Sequence, residues 1–416
     1  MHSVLFRGYL ILAIALCLFL IQASARFGMS RMFARYALTT NSIDAADAAV
    51  QLAPSDPEAH RARAALFNRQ QQREEAAQSL ETALALRYRD DYLWIELGNT
   101  REELGDTQAA LAALDQAVRW APHYAHPHWQ RGNLLLRMGR ASEAFNELRT
   151  AAAANPRYAP NLIDLAWGIS HENVNITEAL LNIKTDTERL PLIDFLARKG
   201  RGEEVLDQIL LLDTQLSAHD RDAVAQLLYD AKAFKASFDL SQPYANSPPP
   251  LILNSDFEEP LVVNESGFGW IIAPQQKNHF AIDVSEKQHG TKSLQINLDN
   301  SWPPGTPLLS QTVIVNAGKT YRLSFAVKTK ELVTGGPPLI VITDANNNQL
   351  LAKSENFPTA TTPWTKLNVN FTTLPTSQAA VIRLERNNCD SSPCPIFGTL
   401  WLDEFDFERT EPAVKR

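Results

Sequence analysis

Residues 104–122 read LGDTQAALAALDQAVRWAP, and this stretch decides the fold of the N-terminal half. A glycine precedes an alanine-rich segment with helical spacing, and a proline follows it. Alanine is its commonest residue, although leucine would bury more apolar surface at each position. Larger side chains are costly where two helices approach closely, so the composition predicts a helix packed tightly against its neighbours.

The stretch recurs after 34 residues, where positions 138–156 read MGRASEAFNELRTAAAANP. Five residues return in register: Gly105, Ala110, Leu114, Ala117 and Pro122 become Gly139, Ala144, Leu148, Ala151 and Pro156. Two earlier copies keep the same phase through Ala76, Leu80 and Ala83, and through Ala49 and Pro54. Each period predicts two helices joined at the glycine, and stacked pairs predict an α-solenoid.

These features resemble the tetratricopeptide repeat. The signature W-x2-L-G stands at Trp94, Leu97 and Gly98, in a copy that spans residues 91–124. The next copy, 125–158, has His128 and Arg131 in place of the Trp and Leu. The resemblance implies a concave groove that is lined by the first helix of each unit and binds peptide segments of protein partners.

The groove side chains that the resemblance implies are Tyr92, Asn99, Glu102, Trp129, Asn133 and Arg137. Asn99 and Asn133 are 34 residues apart, so they superpose in successive repeats. An amide can both donate to and accept from an extended peptide backbone, which suits recognition. Trp129 and Trp167 also suit a packing role.

The N-terminal segment 1–25 predicts either a membrane anchor or a secretory signal. Residues 8–25, GYLILAIALCLFLIQASA, carry no charge and would form a helix of roughly 27 Å, near the lower limit for a bilayer span. Ala23, Ser24 and Ala25 supply the small-x-small pattern of a cleavage site. The arginines that follow argue mildly against export by the positive-inside rule.

The cysteines bear on the compartment. Cys389 and Cys394 lie in NNCDSSPCPIFG and predict a small disulfide, with half of a zinc site as the alternative. A disulfide implies an oxidising environment. We therefore expect an extracytoplasmic protein, either periplasmic and anchored to the inner membrane by the N-terminal helix, or secreted after cleavage near Ala25.

The chain divides further along its length. Residues 26–158 predict the repeats, and residues 159–239 predict degenerate helical pairs that cap the stack. The proline-rich segment 240–250 predicts a stiff linker. From residue 251 the helical period is replaced by alternation, as in TYRLSFAVKT and TKLNVNF, which predicts an antiparallel β-sandwich to about residue 409 with a short tail at 410–416. The fold class is therefore multidomain, α followed by β.

Several motifs in the second half resemble the jelly-roll carbohydrate-binding modules, a galactose-binding-like sandwich that is appended to many xylanases and cellulases. They are NSDFEE (254–259), GFGW (267–270), GTKSLQI (290–296), SQTVIVNAGKTYRLSFAVK (310–328), WTKLNVNF (364–371) and LWLDEFDF (400–407). The resemblance covers nearly all of residues 251–409. It implies the fold and, more weakly, a polysaccharide ligand, because this sandwich also serves other roles.

Two site predictions follow from this resemblance. Glu258 of the opening motif and Asp403 of the last strand would hold a structural calcium ion, which prefers oxygen ligands. A sugar needs a flat exposed aromatic face, for which Trp302, in a turn, is the first candidate and Trp401 the second. Trp270 and Trp364 match positions where the ring usually packs in the core.

The composition limits the function classes. A net charge of −8 without a dense basic run excludes a phosphate-binding surface for nucleic acid. The chain contains no nucleophile elbow, zinc-protease motif or phosphate loop, so we expect no enzyme. The main hypothesis is an envelope adaptor in bacterial surface polysaccharide assembly or export. The alternatives are a glycan-processing enzyme or its accessory subunit, and a purely structural assembly factor.

Overall fold

A computed structural model describes residues 2–242, 251–261, 267–272, 279–300, 302–390 and 392–410. The chain divides into two compact units, residues 1–183 and residues 184–416. The predicted fold class is confirmed, because helices fill the first part of the chain and two antiparallel sheets fill the second. Most of the predicted linker, residues 243–250, and residues 411–416 of the tail lie outside the described residues.

The first unit is a series of antiparallel helical pairs. Its helices are α1 (His2–Thr40), α2 (Ile43–Leu52), α3 (Pro57–Arg69), α4 (Arg73–Leu86), α5 (Asp91–Glu103), α6 (Thr107–Trp120), α7 (Ala125–Arg137), α8 (Ala141–Ala154), α9 (Ala159–Ile169) and α10 (Val174–Leu181). Gly105 and Gly139 join the helices of their pairs with φ of 82° and 75°, a backbone region that glycine enters without strain. Asp90 begins α5 by accepting hydrogen bonds from the backbone amides of Tyr92 and Leu93.

The small residues lie where paired helices approach closely, as the repeat predicts. Ala110 and Ala144 are fully buried. A Cβ on Gly98 would lie 2.9 Å from Leu114 Cγ, and one on Gly132 would lie 2.7 Å from Leu148 Cγ. Each leucine therefore occupies the space that the missing side chain leaves, in the same way in two successive repeats.

Helix α1 joins the apolar segment to the first helical pair without interruption. From Leu10 onward, α1 is long enough and apolar enough to cross a membrane, and a signal sequence would have the same properties. Its second half packs on α2 and α3: the Ser30 hydroxyl donates to the Ala49 carbonyl over 2.8 Å, and Arg31 pairs with the buried Asp56 at 3.1 Å. The predicted boundary after residue 25 thus falls inside a continuous helix.

The second unit contains four helices and a β-sandwich. The helices are α11 (Asp186–Arg198), α12 (Gly202–Leu210), α13 (Ala218–Asp230) and α14 (Phe234–Ser241). The strands are β1 (Ile271–Ile272), β2 (Phe280–Asp283), β3 (Ser293–Asp299), β4 (Leu309–Ile314), β5 (Thr320–Thr334), β6 (Pro338–Asp344), β7 (Leu350–Lys353), β8 (Ala360–Thr372), β9 (Ala379–Arg386) and β10 (Ile396–Thr410). They form two antiparallel sheets, β1-β4-β9-β6-β7 and β2-β3-β10-β5-β8.

The sandwich core lies between the sheets and is rich in aromatic residues. Trp270 packs within 5.6 Å of Phe257 and 5.0 Å of Phe405, measured between ring centroids. Leu323, Phe325 and Val327 of β5 face this core, in agreement with the alternation of the sequence. Trp270 is therefore a core residue.

The outer face of the first sheet is partly covered by α13 and α14. Phe234 is buried with Phe268 and Ala379, and Tyr229 packs against this cluster. The Tyr229 hydroxyl also lies 2.8 Å from the Thr312 hydroxyl of β4. Because these helices bury their apolar side on the sheet, the segment predicted as one cap, 159–239, is divided between the two units at residues 183 and 184.

Candidate functional site

The first candidate site is the inner face of the repeats, formed by the first helix of each pair. Two of the predicted groove residues form an ion pair across successive repeats: Arg137 of α7 donates to both carboxylate oxygens of Glu102 of α5, with Nη2 2.7 Å from Oε2. Arg61 of α3 makes the equivalent two-point contact with Glu96 of α5. Paired in this way, these groups stabilise the stack and have less capacity left for a ligand.

The two predicted asparagines are different. Asn99 and Asn133 are partly exposed, on α5 and α7. Among the hydrogen bonds between described residues, none involves either side-chain amide. Each amide therefore keeps its donors and its acceptor for a partner, at equivalent places in successive repeats.

Of the aromatic residues predicted for the groove, one is exposed and the other is packed against its neighbours. The Tyr92 ring is 48% exposed, with the Arg61 guanidinium 4.6 Å from its centroid. Trp129 is half-buried, stacks on Tyr158 at 4.6 Å and packs against a hydrophobic cluster, while Trp167 is buried. The packing interpretation therefore describes both tryptophans.

The second candidate site is a sugar-binding surface on the sandwich. Trp302, the first aromatic residue predicted for it, is buried. Trp302 is only 3% exposed, in the core cluster, and its Nε1 donates to the Thr306 carbonyl over 2.8 Å. The expectation that a turn tryptophan would be exposed is wrong, because the turn folds its ring inward and satisfies its N–H group locally. Neither face of this ring is available to a sugar.

Trp401 lies on the outer face of the second sheet but is also covered. It is 4% exposed, its Nε1 donates to Asp283 Oδ2 over 2.9 Å, and Lys328 Nζ lies 5.8 Å from the ring centroid. Burial disfavours the charged form of Asp283, but hydrogen bonds from Ser285, Trp401 and the Glu286 amide outweigh it and lower the pKa of Asp283 to about 2. Lys328 in turn pairs with Glu286, so an ion pair lies beside the tryptophan.

The exposed aromatic residue of this face is Phe397, which the sequence reasoning missed. Its ring is 48% exposed, and its neighbours across the sheet are Asp299 of β3 and Val333 of β5. Phe397, Thr399 and Trp401 are spaced two residues apart on β10, and the register with β3 is regular there, so their side chains share one face of the sheet. The alternation of β10 was the available signal, because Leu400 and Leu402 face the core and residues 397, 399 and 401 therefore face outward.

Polar side chains border Phe397 along the same face. Gln295 and Asn297 lie on β3, and Asn297 Oδ1 accepts a hydrogen bond of 3.3 Å from the Thr399 hydroxyl. Lys330 lies opposite Thr399 on β5. An exposed ring beside amide and ammonium groups offers both an apolar surface and hydrogen-bonding groups, the two features a pyranose requires.

The two predicted calcium ligands converge on one loop, residues 286–292. Asp403 is fully buried and accepts from the backbone amides of Gln288 and His289 over 2.8 and 3.0 Å. Glu258 accepts from Thr291 and from the Lys292 amide. Burial raises the pKa of Asp403, whereas the Thr291 hydroxyl and the loop amides lower the pKa of Glu258.

The oxygens of both carboxylates already accept hydrogen bonds. N–H groups donate to the carboxylate oxygens that a cation would need, and the described residues contain no cluster of three or more His, Cys, Asp or Glu that could hold a metal. The carboxylates fasten the loop to the middle of β10 and to the segment that carries Glu258. A structural calcium ion stays a prediction.

The predicted disulfide is present between Cys389 and Cys394. Beside it lies Arg386, 2% exposed, whose Nη1 donates to the Trp302 carbonyl over 3.0 Å and whose Nη2 donates to the Cys394 carbonyl over 2.8 Å. A buried guanidinium thus joins the disulfide loop to the turn that carries Trp302. Both loops are structural at this end of the sandwich.

Comparison with known proteins supports both halves of this description. A family model described as "Carbohydrate binding domain" matches residues 249–392, and a tetratricopeptide repeat model matches residues 92–124. No curated protein matches the chain. The chain therefore contains a tetratricopeptide-repeat region followed by a sandwich of the carbohydrate-binding-module type.

Solved structures resemble the two parts separately. YrrB, described as "a TPR protein with an unusual peptide-binding site", is 16% identical, with a TM-score of 0.31 over 37% of this chain and 84% of its own. The pilF protein of Pseudomonas aeruginosa is 18% identical, with a TM-score of 0.33 over 53% and 98%. A structure titled "CBM4 structure and function" is 16% identical, with a TM-score of 0.29 over 38% and 99%.

Proposed function

We propose that this protein is a non-catalytic adaptor that binds a protein partner through the repeat groove and a glycan through the outer face of the second sheet. The observation that carries the proposal is the pair of unengaged amides, Asn99 and Asn133, at equivalent positions of successive repeats. An extended peptide presents backbone donors and acceptors at regular intervals, so two amides in one register suit it. The match of residues 249–392 to a carbohydrate-binding domain supports a glycan as the second ligand.

The glycan surface is defined by Phe397 and its polar neighbours rather than by Trp302. An exposed ring supplies the apolar contact, while Asn297 and Lys330 can bond to sugar hydroxyls. The disulfide supports an oxidising compartment, and the apolar part of α1 supports an anchor or a signal. We therefore place the adaptor outside the cytoplasm, at the bacterial envelope, in the assembly or export of a surface polysaccharide.

The groove is tested by affinity capture from envelope extracts with the full chain in detergent micelles. The double variant Asn99→Ala/Asn133→Ala should lose the captured partner, whereas Gln78→Ala, on the outer helix α4, should retain it. Equal capture by the two variants would show that the groove amides do not bind the partner.

The sandwich is tested on a glycan array. Phe397→Ala should abolish the signal, and Leu350→Ala, an equally exposed apolar residue on the first sheet, should keep it. Absence of signal from the unsubstituted chain, with or without calcium, would favour a purely structural assembly factor. New reducing ends after incubation with a polysaccharide panel would contradict a non-catalytic role.

A further inference from the structure

An arginine-rich pocket lies on the inner face of the repeats, where α1 and α3 meet. Its volume is about 590 Å³, and its floor contains the small residues Ala34, Ala62 and Ala65. Five guanidinium groups line it: Arg31, Arg35, Arg61, Arg69 and Arg87. A single carboxylate lines it, that of Glu58. In a chain with a net charge of −8, this concentration of positive charge is local.

Three of the arginines are neutralised by carboxylates. Arg31 pairs with Asp56 at 3.1 Å, and Arg61 pairs with Glu96 at 2.9 Å. Arg87 pairs with Glu58 at 2.8 Å and with Asp90 at 3.1 Å. These groups hold the walls of the pocket in place.

The other two arginines have no carboxylate partner among the described residues. Arg35 makes no hydrogen bond or ion pair there, and Arg69 donates only to the Leu38 carbonyl, over 2.9 Å. They are 34 residues apart, so they occupy equivalent positions on the first helices of successive pairs. Two exposed guanidinium groups in one register can each bind a carboxylate through two parallel hydrogen bonds.

The pocket and the candidate groove are lined by equivalent positions of successive repeats. Ala65, at its floor, occupies the position that Asn99 and Asn133 occupy in the next two repeats. A peptide lying along the inner face would therefore meet two amides and then, beyond them, the unpaired arginines. An alanine at this point leaves room for the side chains of the peptide above the pocket floor.

We infer that the partner segment is acidic and places carboxylates between Arg35 and Arg69. This inference rests on the proposed peptide-binding function and adds the chemistry of the ligand. The two guanidinium groups without a carboxylate partner favour an anion. The continuity of the pocket with the asparagine register favours a peptide over a lipid headgroup, because a headgroup would not use the amides.

The test uses the full chain in detergent micelles and two fluorescein-labelled peptides, one containing Glu and Asp in a Gly-Ser background and one with Gln and Asn in their place. Binding is followed by fluorescence anisotropy. We expect the acidic peptide to bind about tenfold more tightly, and its affinity to fall about fivefold in Arg35→Gln and in Arg69→Gln. Arg140→Gln, outside the pocket and paired with Glu143, is the matched control and should change it less than about twofold.

Higher salt should weaken the acidic peptide only, because screening acts on the charged contacts. Circular dichroism of each variant shows whether the repeats remain folded. Equal affinity for the two peptides, or an unchanged affinity in both pocket variants, would overturn the inference.

Two further outcomes separate this inference from the proposed function. If both peptides bind equally and both depend on Asn99 and Asn133, the groove function stands and the acidic preference fails. If neither peptide binds, but nanodiscs of phosphatidylglycerol retain the chain through Arg35 and Arg69 more strongly than nanodiscs of phosphatidylcholine, the pocket is a headgroup site and the inference is wrong.

Discussion

The indole Nε1 of Trp94 donates a hydrogen bond of 2.8 Å to the carbonyl oxygen of Tyr88. In the next repeat the equivalent residue is His128, whose Nε2 lies 2.9 Å from the carbonyl oxygen of Pro122. A tryptophan and a histidine thus make the same contact with the carbonyl six residues earlier. His128 departs from the family signature but preserves the interaction. The position requires a side chain with a ring nitrogen that reaches the carbonyl oxygen six residues earlier.

Trp94→Phe should lower the free energy of unfolding by about 1 kcal/mol, because the ring still packs but the Tyr88 carbonyl loses its donor. The measurement is urea unfolding of the full chain in micelles, followed by far-ultraviolet circular dichroism. Trp120→Phe is the control, because the buried Nε1 of Trp120 has no hydrogen-bond partner in the described part of the chain. Equal losses in the two variants would show that the hydrogen bond contributes nothing.

The glycines of the repeats allow a comparison within one chain. A Cβ at position 132 would lie 2.7 Å from Leu148 Cγ, so Gly132→Ala must push α7 and α8 apart and should cost about 1–3 kcal/mol. Gly168, on α9, has no atom within 4 Å of the corresponding position. Gly168→Ala should therefore stabilise the chain, by up to about 1 kcal/mol, through helix propensity alone.

Thermal unfolding of both glycine variants checks this pair of expectations. No loss for Gly132→Ala would contradict the close approach of α7 and α8, and a loss for Gly168→Ala would contradict the open space beside Gly168. Because the two variants should change stability in opposite directions, a general effect of an added methyl group cannot explain both results.

The repeat register could be predicted from the sequence because it depends on local spacing. Gly98, Ala110 and Leu114 recur at a fixed interval, and that interval places them at one helix–helix contact. The disulfide was predictable for a similar reason, since Cys389 and Cys394 are close along the chain.

The exposure of single aromatic rings could not be predicted in this way. Trp302 is buried because its turn folds onto the core, and on one face of β10 Trp401 is covered while Phe397 is left exposed. Both outcomes depend on how segments distant in sequence cover a side chain, which the alternation within one strand does not specify. The same limit applies to α13 and α14, whose apolar side suits another helix as well as it suits the sheet that it covers.

The stability of the protein at low pH should depend on Asp283. Its folded pKa of about 2 lies below its usual 3.8, so its ionised form adds stability above 3.8, and this contribution is lost as the pH falls towards 2. Asp283→Asn should therefore reduce the fall in melting temperature between about pH 5 and about pH 2.5, a range that covers most of that window. Asp222→Asn, an exposed carboxyl on α13, should follow the unsubstituted chain; an unchanged profile in Asp283→Asn would contradict the assignment.

Asp403 acts with the opposite sign. Burial raises the pKa of Asp403 above its usual 3.8, so the folded state disfavours the ionised form. The protein therefore loses stability as the pH rises from 3.8 through the pKa of the folded state. Asp403→Asn should remove that loss but also weaken the hold on the amides of Gln288 and His289. The slope of melting temperature against pH separates the two effects, because only the first depends on pH.

The attachment of α13 to the first sheet predicts that Tyr229 is critical for the second unit. Its ring packs at 5.3 Å from Phe268, between centroids, and its hydroxyl lies 2.8 Å from the Thr312 hydroxyl. Tyr229→Ala removes both contacts and should cost roughly 3 kcal/mol. Tyr229→Phe removes only the hydrogen bond and should cost about 1 kcal/mol.

Limited proteolysis of the full chain in micelles measures the effect on this attachment directly. In Tyr229→Ala, cleavage between α13 and α14 should accelerate, because the helices detach from the sheet more often, while in Tyr229→Phe it should change little. The sandwich itself should persist as a resistant fragment in both variants. Unaltered cleavage in Tyr229→Ala would mean that α13 and α14 are held by other contacts, and simultaneous loss of the resistant fragment would mean that the sheet cannot fold without them.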